Sequence, residues 1–243
     1  MIILVLGHNG MLGHMACLYL AQEGYSIETT PHRWPSEEFK EAVKTSKAST
    51  IVNCIGAIPQ KTRDFAVNFE LPIWLSSNTD KNVVHPATDC EVDNDDYGIS
   101  KRRATDFLLA SDFNVKIIHT SIIGPELSAR KSLFEWVLSQ PDGTKIKGYK
   151  NQLWNGSTTL FWCQQATEIM RDWSNSPKIS RIGSECQSKF DLICAILQNE
   201  GKSLEVEPHY LRESKNKCIA DLHLVKPIKE QLSELRDFYS KHL

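Results

Sequence analysis

The sequence predicts an α/β protein built on a doubly wound parallel sheet, followed by a smaller C-terminal lobe. Two observations carry this. The chain opens on an apolar run, Met1-Ile2-Ile3-Leu4-Val5-Leu6, which stops at Gly7-His8-Asn9-Gly10-Met11-Leu12-Gly13. A helical pattern follows at once, with Leu12, Met15, Ala16, Tyr19 and Leu20 on one face. Apolar runs of strand length then alternate with helical segments through the first half of the chain, the rhythm of a parallel sheet covered on both faces.

The elements follow in order. Tyr25 to Thr30 is expected as the second strand, and Ser36 as the cap of a helix reaching Ser46. Thr50 to Ile58 is a third buried run. Asp64 to Ser76 is a helix that Pro72 interrupts mildly. Asn82-Val83-Val84-His85 opens a fourth strand, Ser100 to Ala110 is helical, and Val115 to Thr120 is the fifth strand. After Ile123 the rhythm changes. Gly124-Pro125-Glu126 marks a turn, Leu133 to Ser139 a helix, and Pro141-Asp142-Gly143 a break. Lys145 to Gly148 and Leu153 to Ser157 are short and polar, as in a loop-rich lobe. Thr159 to Trp173, Phe190 to Gln198 and Ile228 to Tyr239 are late helices. Residues 1–125 are therefore expected to form mainly the sheet domain. Residues 126–243 are expected to form the lobe, with late elements packing back on the sheet.

Composition narrows the function classes. With 243 residues and 41% hydrophobic content, the chain can bury a sizeable core. A net charge of −2 argues against a nucleic-acid or membrane-surface partner. No apolar run approaches the roughly 20 residues of a membrane span. Met1 leads directly into the first strand with no basic segment before it, so no secretory signal is expected. Seven scattered cysteines without a C-x-x-C pair fit a reduced, cytoplasmic compartment better than a disulfide framework or a zinc site. The eight histidines are dispersed as well, and no metal site is expected.

A buried strand, a glycine turn and a helix start are what a dinucleotide pyrophosphate needs. Gly7 permits the turn, Gly10 lets backbone N–H groups approach the phosphates, and Gly13 lets the helix pack on the strand. The phosphate-binding segment is thus Gly7, His8, Asn9, Gly10, Met11, Leu12 and Gly13. About 20 residues on lies Thr29-Thr30-Pro31-His32-Arg33, which contains no acid. Arg33 favours the 2′-phosphate of NADP over NAD. Tyr97-Gly98-Ile99-Ser100-Lys101 places a phenol and an ammonium on one helix face, where the cation is expected to lower the phenol's pKa. Such a phenol can exchange a proton with a carbonyl or alcohol. Thr88, after the fourth strand, offers a hydroxyl to the same substrate oxygen. Trp136 and Trp162 read as core, whereas Trp154 lies in a polar segment and is the better candidate for stacking on a ligand.

These segments together resemble the extended short-chain dehydrogenase/reductases, and within them the dTDP-4-dehydrorhamnose reductase group. The resemblance runs from Gly7–Gly13 through Val52-Asn53-Cys54-Ile55-Gly56, Asn68, Thr88-Asp89 and Tyr97-Gly98-x-Ser100-Lys101. It continues through Thr120-Ser121-Ile122-Ile123-Gly124-Pro125-Glu126-Leu127, Gly148-Tyr149 and Trp154-Asn155-Gly156-Ser157-Thr158-Thr159. It implies a Rossmann-type fold with a substrate-binding lobe. It implies an NAD(P)H-dependent reduction of the 4-keto group of a nucleotide-linked 6-deoxysugar, in surface polysaccharide synthesis. It implies that Cys54, Ile55, Gly56, Asn68, Ser121 and Ile122 line the cofactor, and that Thr88, Trp154 and Thr158 meet the sugar nucleotide. Thr88 would polarise the carbonyl, Tyr97 donate the proton, and Lys101 tune Tyr97 and hold the nicotinamide ribose. A homodimer is one expected assembly.

The chain departs from that pattern in one place. Only Asp89 to Asp96 separate Thr88 from Tyr97, where the family carries a longer loop. Nine residue steps can still span roughly 30 Å, so the three side chains can meet, around a more open pocket. The departure keeps a second reading in view, a non-catalytic NADP-binding regulatory homologue. An epimerase or dehydratase on the same scaffold is a third.

Overall fold

Five parallel strands frame the first part of the computed structural model, which describes residues 1–128 and 130–242. They are β1 (Ile2–Leu6), β2 (Ser26–Glu28), β3 (Thr50–Asn53), β4 (Asn82–Ala87) and β5 (Val115–His119). The helices between them are α1 (Met11–Gln22), α2 (Glu37–Thr45), α3 (Val67–Asn78) and α4 (Asp96–Ala110). The full seven-stranded sheet runs Leu224–Val225, Ile179–Gly183, β5, β4, β3, β1, β2. The chain goes from β1 outward to β2 and then returns across β1 to β3. That reversal makes the β1/β3 gap the switch point, where ligands of open α/β sheets bind outside the carboxyl ends of the strands. The register sets Val5 beside Val52 and Leu6 beside Asn53, so both strands end together.

These strands are continuous apolar runs because both faces are covered. On one face Leu4, Leu6, Ile51, Val83 and Ile117 pack with Phe39 and Val43 of α2, Leu71 and Leu75 of α3, and Leu108 of α4. Ile3, Val5, Val52, Val84 and Ile118 alternate with them and are also buried. The Ser36 hydroxyl caps α2 by accepting from the Phe39 N–H at 3.2 Å, and Glu37 and Glu38 complement the helix dipole. Two boundaries differ from expectation. β2 stops at Glu28 rather than Thr30, and α4 begins at Asp96 rather than Ser100. The second shift follows from Asp95, whose carboxylate caps the helix by accepting from the Gly98 N–H at 2.7 Å.

The chain divides into two units. The first is Met1–His119 with Cys163–Ser180, and the second is Thr120–Trp162 with the segment from Arg181 onward. The division thus falls after His119, and a later helical segment returns to the first unit. Within the second unit the expected loop-rich region contains short strands. Lys145–Tyr149 pairs with Glu205–His209, and Gln152–Trp154 lies between Gln187–Ser188 and Lys215–Asn216. Helices Leu133–Ser139, Lys189–Glu200 and Ile228–Tyr239 accompany them.

The second unit also corrects the reading of the cysteines as uniformly reduced. Cys186 and Cys218 form a disulfide across 32 residues of chain. Asn155 fastens the neighbouring backbone, donating to Ile219 O at 2.9 Å and accepting from the Ile219 N–H at 2.8 Å. A loop of that length gives a cross-link worth roughly 2–4 kcal/mol. In oxidised protein, Cys186→Ser is expected to lower stability by that amount in urea melts. In reduced protein the substitution is expected to cost far less.

Candidate active site

The glycine turn is built for close approach. Gly7 sits at φ +80°, and a Cβ there would stand 3.0 Å from the carbonyl of Cys54 across the switch point. A Cβ on Gly13 would stand 2.0 Å from Gly7 O, so α1 can lie this near β1 only with glycine at that position. The Gly10 N–H donates to Gly7 O at 2.9 Å and closes the turn. Gly10 gives α1 no side-chain cap, so first-turn N–H groups are left for an outside acceptor. The Nδ1 atom of His8 is buried within the turn without a partner. A cradle that excludes side chains, ends on uncapped amides and holds an unpaired imidazole nitrogen fits a pyrophosphate. Asn9 is exposed at the turn and Met11 is half-buried, whereas Leu12 is buried in the core.

The end of β3 forms the other wall. The Ile55 N–H donates to the Asn53 side chain at 3.1 Å. Asn68 holds the backbone beyond Gly56, accepting from the Ala57 N–H at 2.8 Å and donating to Ala57 O at 3.0 Å. Its amide also donates to the Ser100 hydroxyl at 3.2 Å, and that hydroxyl donates to Tyr97 O. Asn68 is therefore a brace joining the Cys54–Ala57 segment to α4, with little surface left to touch a ligand itself.

The short connection between Thr88 and Tyr97 folds as a 3-10 turn, Asp89–Val92. Thr88 and Glu91 form its capping box. Arg102 pins the turn from α4, its guanidinium donating to Glu91 O at 2.6 Å and Asp93 O at 3.3 Å. A Cβ on Gly98 would stand 2.5 Å from Cys90 O and 2.7 Å from Asp93 O. The turn thus lies directly on the backbone of Gly98, and this seats Thr88 beside Tyr97. Thr88 (9% exposed), Asp89 (4%) and Lys101 (7%) are all buried here. Phe65 packs edge-on against the Tyr97 ring at 5.6 Å between centroids.

The electrostatics differ from expectation. Burial pushes the Tyr97 phenol above its ordinary range, the Cys90 thiol and the carboxylates of Asp89 and Glu91 add to this, and a hydrogen bond with Thr88 opposes it. The phenol is therefore held protonated rather than primed as phenolate. Lys101 donates to Pro86 O at 2.7 Å. Burial lowers its pKa to about 8, with Glu91 and Cys90 pulling the other way. Below Lys101, His85 accepts from the Asn53 amide at 3.2 Å, or donates to it after an amide flip. Burial, and then the Lys101 charge, hold His85 well below the histidine range, so its ring is neutral. His119 Nε2 meets Thr88 O at 2.9 Å.

Glu91, His85 and His119 were not singled out by the sequence, and Asp89 entered only within the Thr88-Asp89 motif, with no role assigned. Only Glu91 carried a local signal, the T-x-x-E spacing of a capping box. At the cofactor-choice position Arg33 is exposed, as expected of a group free to meet a phosphate. The expectation of no acid at the strand end is corrected, because β2 stops at Glu28. The Glu28 carboxylate accepts from the Ser46 hydroxyl at 2.6 Å.

The remaining expected residues belong to the second unit. Ser121 O accepts from the Ser157 N–H at 2.8 Å, and Ile122 pairs with Ser157 between two short strands. Thr158 is fully buried, its N–H donating to the Gln231 side chain and its hydroxyl accepting from the Phe161 N–H. Trp154 is 1% exposed, with Lys189 over its ring and Gly156 against its edge. Its burial leaves no open face for stacking on a ligand, so its role here is packing. Among the described residues no group of three or more His, Cys, Asp or Glu could hold a metal ion, and no helix is long and apolar enough to cross a membrane.

Two predictions follow from this geometry. Gly98→Ala forces the turn off α4 and is expected to cost about 1–3 kcal/mol in denaturant melts. The second concerns Lys101. Its folded pKa lies below its unfolded value, so the unfolded chain binds more protons between the two, and stability rises with pH across that window. From pH 7 to pH 10 the native chain should gain about 2–3 kcal/mol relative to Lys101→Met. Urea melts of both proteins at the two pH values check this.

No protein-family model matches the chain, and no curated protein matches it. Solved structures do match in fold. A dTDP-4-dehydrorhamnose reductase from Yersinia enterocolitica aligns over 98% of this chain and 99% of its own, with TM-score 0.74 and 14% identity. One from Bacillus anthracis, in complex with NADP, aligns over 99% of both chains with TM-score 0.72 and 13% identity. A dTDP-glucose 4,6-dehydratase from Bacillus anthracis, in complex with NAD, aligns over 99% of this chain and 97% of its own, with TM-score 0.73 and 15% identity. The chain thus has a Rossmann-type fold and resembles in fold the dTDP-4-dehydrorhamnose reductases and related nucleotide-sugar enzymes.

Proposed function

We propose that this chain is a nicotinamide-dependent reductase acting on the 4-keto group of a nucleotide-linked 6-deoxysugar. The observation that carries the reading is the set of buried Thr88, half-buried Tyr97 and buried Lys101 beyond the carboxyl end of β4. The glycine turn lies at the carboxyl end of β1 in the same parallel sheet. The likeness in fold to a dTDP-4-dehydrorhamnose reductase solved in complex with NADP supports it.

The α1 N-terminus and the glycine turn would hold the pyrophosphate, and Lys101 the nicotinamide ribose. The bound cofactor supplies the hydride. Tyr97 supplies the proton to the carbonyl oxygen; burial and the neighbouring carboxylates keep the phenol protonated and also make it a weaker acid. Lys101 keeps a positive charge near the site at neutral pH despite its burial. Exposed Arg33 supports NADP over NAD, while Glu28 at the strand end is the feature that would favour NAD.

A second reading has its own observation. The raised Tyr97 phenol and the short turn suit a chain that binds the cofactor and does not turn it over, a regulatory homologue. The experiment that separates the two is NADPH and NADH oxidation with dTDP- and UDP-linked 4-keto-6-deoxysugars, alongside cofactor binding by fluorescence. The reductase reading expects net NADPH consumption. It also expects Tyr97→Phe to lose about 10²-fold or more in turnover with fold and cofactor binding intact. Full activity in Tyr97→Phe sinks the assignment. Binding without turnover on any sugar favours the regulatory homologue, and turnover without net NADPH consumption points to an epimerase or dehydratase.

A further inference from the structure

Residues 210–220 form a strap beside the strand Gln152–Trp154, and no residue of the strap is buried. Tyr210 is 69% exposed and Leu211 41%. Both ends are anchored. His209 ends a strand paired with Lys145–Tyr149, and the His223 N–H donates to Arg181 O at 2.7 Å. Between the anchors only Lys215 and Asn216 pair as a strand. The Asn151 amide donates to Leu211 O at 2.7 Å and the Gln152 amide to Glu213 O at 2.8 Å, and both bonds are exposed to solvent. The Lys215 and Lys217 N–H groups donate to the carbonyls of Asn151 and Leu153 at 3.0 and 3.1 Å. Solvent-exposed hydrogen bonds without buried apolar contacts mark a segment that opens locally at low cost.

One tie differs in kind. Cys218, two residues beyond Asn216, is bonded to Cys186, which immediately precedes the strand Gln187–Ser188 on the other side of Gln152–Trp154. The bond joins the two outer strands of a three-stranded sheet past the end of the middle one. The next residue along the middle strand, Asn155, is 4% exposed and exchanges two hydrogen bonds with Ile219. Cys186 is exposed and Cys218 half-buried, so the bond is open to a thiol from solution on the Cys186 side.

We propose that the Cys186–Cys218 bond is a redox latch on this strap. A dithiol supplies the two electrons. Its thiolate attacks the Cys186 sulfur, the bond breaks, and Cys218 leaves as a thiolate that takes up a proton. The second thiol of the reductant then displaces Cys186, which leaves in the same way, and the reductant becomes a disulfide. With the covalent tie gone, residues 210–220 lift from Gln152–Trp154 between their anchors. The helices Lys189–Glu200 and Ile228–Tyr239 keep their own buried residues, Leu192, Ile196, Leu232 and Leu235 among them, and stay folded. The latch does not depend on the reductase reading.

Limited digestion of the full chain with trypsin tests this, because Arg212, Lys215 and Lys217 lie in the strap. The chain is oxidised with glutathione disulfide, or reduced with dithiothreitol and desalted, and Cys186→Ser is digested after both treatments. Fragments are separated after full reduction, so that cut pieces do not stay joined. Reduction should speed cleavage after Arg212, Lys215 or Lys217 by about 10-fold or more, the scale of a cross-link lost from a locally opening segment. These should also be the first cuts, with the helical circular dichroism of the reduced chain retained. Cys186→Ser should be cut like the reduced chain after either treatment. Returning the reduced native chain to glutathione disulfide should restore slow cleavage. Equal cleavage of the strap in both redox states overturns the proposal. So do first cuts outside residues 210–220 in the reduced chain, which mark a staple for the whole unit rather than a latch. A Cys186 or Cys218 thiol that still reacts with maleimide after oxidation overturns it as well. If Cys186→Ser does not fold, the reduced native chain and Cys218→Ala carry the comparison.

Discussion

The site in the first unit depends on one close approach of backbone to backbone. Carbonyls of the Asp89–Val92 turn and of Asp93 lie on the first turn of α4 at Gly98, closer than any side chain would allow. That contact replaces a long loop with a pinned turn and fixes Thr88 relative to Tyr97. Arg102 holds it from the helix side and the Thr88–Glu91 capping box from the strand side. The same principle operates at the switch point, where Gly13 lets α1 settle against Gly7. Both halves of the site are thus placed by backbone contacts that tolerate little movement, as precise positioning requires.

The cost of that compactness is electrostatic. Drawing Asp89 and Glu91 into the site buries two carboxylates near a phenol and a lysine. Burial lowers the Lys101 pKa, and Glu91 offsets part of this. The same carboxylates disfavour a phenolate at Tyr97. A phenol so placed rests protonated and is a weaker acid than a free tyrosine.

Much of the first unit was legible in the sequence, because its strands are apolar runs set between helical patterns. Ser36 marked the start of α2, and the helices Leu133–Ser139 and Ile228–Tyr239 lie where their periodicity placed them. The start of α4 was obscured because Asp95, Asp96 and Gly98 read as loop residues, although Asp95 is the cap. The strand Lys145–Tyr149 alternates exposed and buried positions, but its lysines and glycine hide the apolar side. Tyr97 and Lys101 were visible from their spacing. The carboxylates around them were not, since their roles depend on how a short turn folds back on a helix. The Cys186–Cys218 pair leaves no local signature, because pairing across 32 residues is a property of the fold.

The sheet ends on very little. Its outermost strands are β2, of three residues, and Leu224–Val225, of two. An edge this brief offers few unpaired amides and carbonyls for a foreign strand to add to, and Glu28 places a carboxylate on one of them. The interior strands are among the most apolar stretches of the chain and would be the hazardous ones if they lay at the rim. Their confinement to the middle of the sheet keeps these strands from serving as a template, so that their own risk is concentrated in the time before β1 and β3 have paired.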